Sequence, residues 1–89
     1  MNFKEAMKII DSDDSGYMVH FEKIEGSMLR SGYFPDKHAD EELIETEVEA
    51  WDLAKRFASK TKGKYVNIYV IDSNFRPVAD YQNQTIKNR

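Results

Sequence analysis

The densest run of side-chain oxygens in the sequence is Asp11-Ser12-Asp13-Asp14-Ser15, followed by Gly16, Tyr17 and, five residues on, Glu22. Oxygen donors at Asp11, Asp13, Ser15, the Tyr17 carbonyl and Glu22, with glycine at the sharp turn, have the spacing that wraps a hard cation such as calcium. The other residue types that carry chemistry are not arranged to use it. His20 and His38 stand outside any metal-ligand or triad spacing. Ser12, Ser15, Ser27 and Ser31 lack the strand-to-helix turn that exposes a nucleophilic serine. Gly26, Gly32 and Gly63 are isolated, so no phosphate-cradling loop forms. The absence of cysteine excludes a disulfide framework, a thiolate metal site and a thiol nucleophile. The acids Asp36, Asp40, Glu41, Glu42, Glu45, Glu47, Glu49 and Asp52 form a solvated surface, because no apolar pocket in the pattern would separate the pKa values of two of them. These residues point away from an enzyme.

With the preceding "FKEAMKII", residues 3–22 resemble the first half of an EF-hand, an entering helix followed by its ion-binding loop. The resemblance implies calcium as cofactor and Glu22 as the bidentate ligand. An EF-hand continues into an exit helix, but Lys23, Gly26, Ser27 and Arg30 occupy the positions where that helix needs apolar residues, and no second loop of the kind follows. The reading adopted is therefore a turn entering a strand, with no metal and no cofactor. Calcium at Asp11, Asp13, Ser15, Tyr17 and Glu22 is the alternative.

The elements that must position these groups follow from periodicity. Phe3, Ala6, Met7 and Ile10 recur at helical spacing and predict a short N-terminal helix. Tyr17, Val19 and Phe21 alternate with Met18, His20 and Glu22, the period of a half-buried strand. A turn at Glu25–Gly26 returns "SMLRSGYF" antiparallel until Pro35. Thr46 and Glu49 fit a capping box opening a helix over 46–62, with Val48, Ala50, Trp51, Leu53, Ala54, Phe57 and Ala58 as its apolar face and Gly63 as its C-cap. "KYVNIYVID" predicts a central strand with Val66, Ile68 and Val70 on one face and Tyr65, Asn67 and Tyr69 on the other. Asp72-Ser73-Asn74 is turn chemistry, and "FRPVADY" predicts a last, edge strand. The sum is one α+β domain over residues 1–89, a four-stranded antiparallel sheet of two hairpins with one main helix on one face, a short N-terminal helix and a frayed tail at 82–89.

Such a chain builds one modest core. It has no run approaching the ~18 apolar residues of a membrane span and no signal-peptide pattern, so a cytoplasmic protein without membrane association is expected. The net charge of −3 conceals a division: residues 1–54 hold 14 acids and 5 bases, residues 55–89 hold 2 acids and 8 bases. The two halves attract and fold against each other. One helix covers one sheet face, which leaves Tyr65, Asn67, Tyr69, Met18 and His20 on the other as a partner-binding surface. The expected function is a small, non-catalytic, regulatory protein that binds another protein or itself, aided by the acidic segment 36–52. A single-stranded nucleic-acid binder using Tyr65, Tyr69, Lys60, Lys62, Lys64 and Arg76 is a second alternative, disfavoured by the acidic half.

Overall fold

The computed structural model of the chain describes residues 16–88. The helix read at 3–10 and the loop oxygens of Asp11, Asp13 and Ser15 lie outside the described residues. In chain order the elements are β1 (Tyr17–Glu25), β2 (Met28–Phe34), a 3₁₀ turn (Lys37–Ala39), α1 (Glu47–Lys60), β3 (Asn67–Asp72), α2 (Tyr81–Gln84) and β4 (Ile86–Lys87). The strands form one antiparallel sheet in the order β2-β1-β3-β4. The α+β architecture expected from the pattern, one main helix on a four-stranded antiparallel sheet, is the one observed.

The β1–β2 hairpin closes on the pair Glu25↔Met28, which places the two-residue turn at Gly26–Ser27, one position later than the sequence suggests. Gly26 has φ 62, and the first central position of a tight hairpin turn is where positive φ calls for glycine. Gly32 answers a different need. A Cβ there would lie 2.5 Å from the Phe21 ring carbons, so the bare backbone of β2 makes room for that ring.

Registry fixes two faces. Val19 opposes Val70 and Phe21 opposes Ile68, and this face meets α1. Ala50, Trp51, Ala54 and Ala58 form the buried stripe of the helix and join Val19, Ile68, Val70 and Val78 in the core. Three of the four are alanines, so the helix lies close to the sheet while Trp51 supplies bulk. Trp51 also donates its Nε1 hydrogen to Glu47 Oε1 at 3.3 Å. The Thr46 hydroxyl accepts from the Glu49 amide at 3.2 Å, the cap expected from the sequence. Val48 does not belong to the apolar face; it is 73 % exposed, because at 100° per residue it lies roughly 110° round the helix from the buried stripe.

The C-terminal part differs from the pattern most. Residues 75–81 form no strand: the chain makes a single bridge, Ile71↔Pro77, and turns away. The turn before it is built as its residue types require, with Asp72 Oδ1 accepting from the amides of Asn74 and Arg76 at 2.8 and 3.0 Å. The tail expected to fray instead supplies α2 and β4, the latter pairing Asn67↔Lys87 and Ile68↔Ile86. Buried Asn88 anchors it, donating to the Thr61 carbonyl at 3.0 Å and to Thr61 Oγ1 at 3.1 Å. Thr61, not Gly63, is the C-cap of α1, so the tail holds the end of the helix.

Candidate functional site

The second face of the sheet is carried by alternate residues of three strands. His20 on β1 opposes Tyr33 on β2 and Tyr69 on β3, while Glu22 opposes Ser31 and Asn67. Their side chains converge on the Glu22 carboxylate. Asn67 Nδ2 donates to Oε2 at 3.1 Å, the Tyr69 hydroxyl donates to Oε1 at 3.2 Å, and His20 Nε2 lies 3.4 Å from Oε1. Lys87 on β4 donates from Nζ to Asn67 Oδ1 at 2.8 Å and so extends the chain of polar contacts to the sheet's far edge.

Rings enclose this network. His20 stacks on Tyr69 with centroids 4.8 Å apart and meets Tyr33 edge-on at 5.0 Å. Tyr81, brought over the face by α2, lies 5.4 Å from Tyr69. On the side of Tyr69 and Tyr81 lies an open groove of about 430 Å³ lined also by Glu22, Asn67, Gln82, Thr85 and Lys87. The burial that orders the groove also shifts its titrations. Desolvation lowers the His20 pKa below its ordinary value and outweighs the opposing pull of Glu22, so the ring is neutral at pH 7. Tyr69 is pushed up to about 12, first by desolvation and then by the Glu22 charge beside its hydroxyl, so it stays a donor.

At the neighbouring end of the face the connections after β2 and β3 close on one another. Lys37 Nζ donates to the Ser73 carbonyl at 2.9 Å, His38 stacks on Phe75 at 4.7 Å, and Phe75 meets Tyr33 edge-on at 5.1 Å. Phe75 is held at φ 63, a conformation that aromatic residues seldom adopt, and its ring contacts offset that cost.

Of the five residues expected on this surface, the structure brings His20, Asn67 and Tyr69 together and removes two. Met18 lies on the right face but is fully buried beside Ile71. Tyr65 lies on the opposite side: it precedes β3, the chain bends at Val66, and the ring packs against Phe21 and Phe57 at 5.1 and 5.2 Å. Strand alternation therefore fails for it. The nucleic-acid reading loses its platform for the same reason, since Tyr65 and Tyr69 face opposite ways and Lys64 sits over the Tyr65 ring. Glu22, Tyr33, Tyr81 and Lys87 are the groups the pattern did not assign to the surface. Glu22 shares the parity of His20 and was readable as its neighbour; Tyr81 and Lys87 depend on how the tail folds.

Of the five residues in the calcium alternative, Tyr17 and Glu22 lie within the described residues and Asp11, Asp13 and Ser15 outside them. The residues after Glu22, where an EF-hand has its exit helix, are strand and turn, the Tyr17 carbonyl accepts from the Ile44 amide at 3.0 Å, and Glu22 is engaged by Asn67 and Tyr69. Among the described residues no three His, Asp or Glu side chains converge as metal ligands, and no helix is long and apolar enough to cross a membrane.

The class these features define is an α+β domain with a polar, tyrosine-walled groove on the sheet face away from the helix. No family model matches the chain, and no curated protein or solved structure is significantly similar to it.

Proposed function

We propose that this protein is a non-catalytic, regulatory binding module of the cytoplasm, and that the groove around Glu22 receives a segment of a partner protein carrying a basic side chain. The observation that supports this reading is the Glu22 carboxylate lying in one open groove with Tyr69 and Tyr81 on the sheet face away from the helix. A guanidinium or ammonium there meets a carboxylate edge, while its aliphatic stem lies on the tyrosine rings. The rings are held by stacking and hydrogen bonds before any ligand arrives, which lowers the entropy cost of binding. The acidic stretch from Asp36 to Asp52 favours the same sign of partner and speeds encounter.

The Glu22 oxygens are already engaged by three neighbours, which suits recognition better than proton transfer. Calorimetric titration with short arginine-rich, lysine-rich and glutamate-rich peptides tests the reading. Binding of the basic peptides alone, weakened by salt and reduced roughly tenfold or more in Glu22→Gln and Tyr81→Ala, is expected. Equal binding by Glu22→Gln, or none by the parent at millimolar peptide, contradicts it.

A further inference from the structure

The described residues leave β2 at the edge of the sheet, with alternate amides and carbonyls along one side facing away from β1. The strand is seven residues long, contains no proline, and carries a single charge, Arg30. Three of the exposed large apolar residues, Met28, Leu29 and Phe34 at 57, 62 and 48 %, lie on it, and a fourth, Ile24, is the cross-strand neighbour of Leu29. Natural edges are usually blunted by charge, proline or bulges. This one concentrates apolar surface instead.

We infer that β2 pairs antiparallel with β2 of a second copy of this chain, around a two-fold axis through Ser31, joining two four-stranded sheets into one of eight strands. The register follows from the sequence of the strand. A two-fold axis normal to the sheet keeps each face on its own side, so paired residues share parity and the axis passes through a residue rather than between two. An axis at Arg30 sets two guanidinium groups opposite each other. An axis at Gly32 places Phe34 against Arg30 and Leu29 against Pro35, which has no amide hydrogen to give. At Ser31 the pairs are Met28 with Phe34, Leu29 with Tyr33, and Arg30 with Gly32, so apolar side chains meet on both faces.

At the Arg30–Gly32 pair the glycine presents no side chain that would clash with the second copy. The Phe21 ring lies over Gly32, where no side chain stands in the way, and the shallow hollow beside it is lined by Phe21, Lys23, Arg30, Ser31 and Tyr65. Lys23 and Arg30 already place two cations there, and Arg30 Nε is paired with Glu25 Oε2 at 3.0 Å within its own chain. A seven-residue edge gives a contact only about 23 Å long, short of a standard interface, so the dimer is weak and depends on concentration. The edge is separate from the groove around Glu22, and failure of either proposal leaves the other standing.

The chain has no cysteine, so engineered thiols report the register without background. At the axis the two Cα atoms lie about 4.5–5.5 Å apart, within disulfide reach; at position 29 they lie about 13 Å apart, beyond it. Sedimentation equilibrium of the unmodified protein is expected to show mass rising from monomer to dimer with concentration, and Leu29→Lys to weaken this roughly tenfold or more. Under mild oxidation Ser31→Cys is expected to bridge into a covalent dimer, and Leu29→Cys to remain single chains. A parent protein that stays monomeric into the millimolar range overturns the proposal, as does bridging of Leu29→Cys in preference to Ser31→Cys.

Discussion

The two faces of the sheet are held in order by different forces. On the helix side Val19, Ile68 and Val70 lose nearly all contact with water beneath Ala50, Trp51 and Ala54, and apolar area provides the stabilisation. On the other side the central positions of the same strands carry His20, Glu22, Asn67 and Tyr69, joined by hydrogen bonds and ring stacking while the groove stays open. One alternation of period two thus builds a dry face and a wet one. The dry face tolerates apolar exchange of similar volume. The wet face depends on particular donors and acceptors, so changes there alter recognition more than stability.

Truncation should make that contrast sharp. Trp51→Ala opens a cavity in the dry core and is expected to destabilise the fold by about 3–5 kcal/mol, a large part of the stability of so small a domain, measured by urea unfolding. Tyr81→Ala removes a comparable ring from the wet face and should lower the midpoint far less. Similar losses for the two would erase the distinction. Next in size is the tail: Asn88→Ala removes the amide that donates to the Thr61 carbonyl and hydroxyl, while the carbonyl keeps the Lys64 amide at 2.8 Å, and should reduce stability by about 0.5–1.5 kcal/mol, with faster amide exchange at Ile86 and Lys87.

The wet face also titrates. His20 has a folded pKa below its unfolded value, so the unfolded state binds the proton first; the associated stability is present above about pH 6.5 and is lost as pH falls through the folded pKa. Tyr69 behaves in the opposite sense, contributing stability below about pH 10 that is lost as pH rises toward about 12. Thermal melts across both ranges should show the acid slope flattened in His20→Gln and the alkaline slope flattened in Tyr69→Phe. Unchanged slopes in these variants would mean the two side chains are solvated. Smallest of all, Val48→Glu at the exposed start of α1 should move the melting temperature by no more than a degree or two, whereas a larger fall would place Val48 in the core.

What was legible in the sequence was local. The Thr46 cap, the hairpin around Gly26, the alternation of β1 and β3 and the Asp72 turn each rest on residues close together in the chain, and they were enough for the α+β class and the first hairpin but not for the second, whose place the tail strand takes. The part of the second face carried by β1 and β3 was readable on the same grounds, through His20, Asn67 and Tyr69. What escaped depends on contacts between distant segments. β4 is two residues long in a polar tail, and it forms because Ile86 meets Ile68 and Asn88 reaches Thr61 across the fold. Tyr65 left its expected face at a single bend, and Met18 is buried on a face that periodicity alone leaves open. Tyr81 enters the groove only because α2 turns back over the sheet.

Amide chemical-shift mapping tests the central claim most directly, because it separates the groove from the acidic stretch that also attracts basic ligands. With an arginine-rich peptide added stepwise, the largest shifts are expected at Glu22, Asn67, Tyr69, Tyr81 and Lys87, and small ones along Glu41–Asp52. Shifts confined to Glu41–Asp52, with the amides around Glu22 unmoved at saturation, would contradict the account.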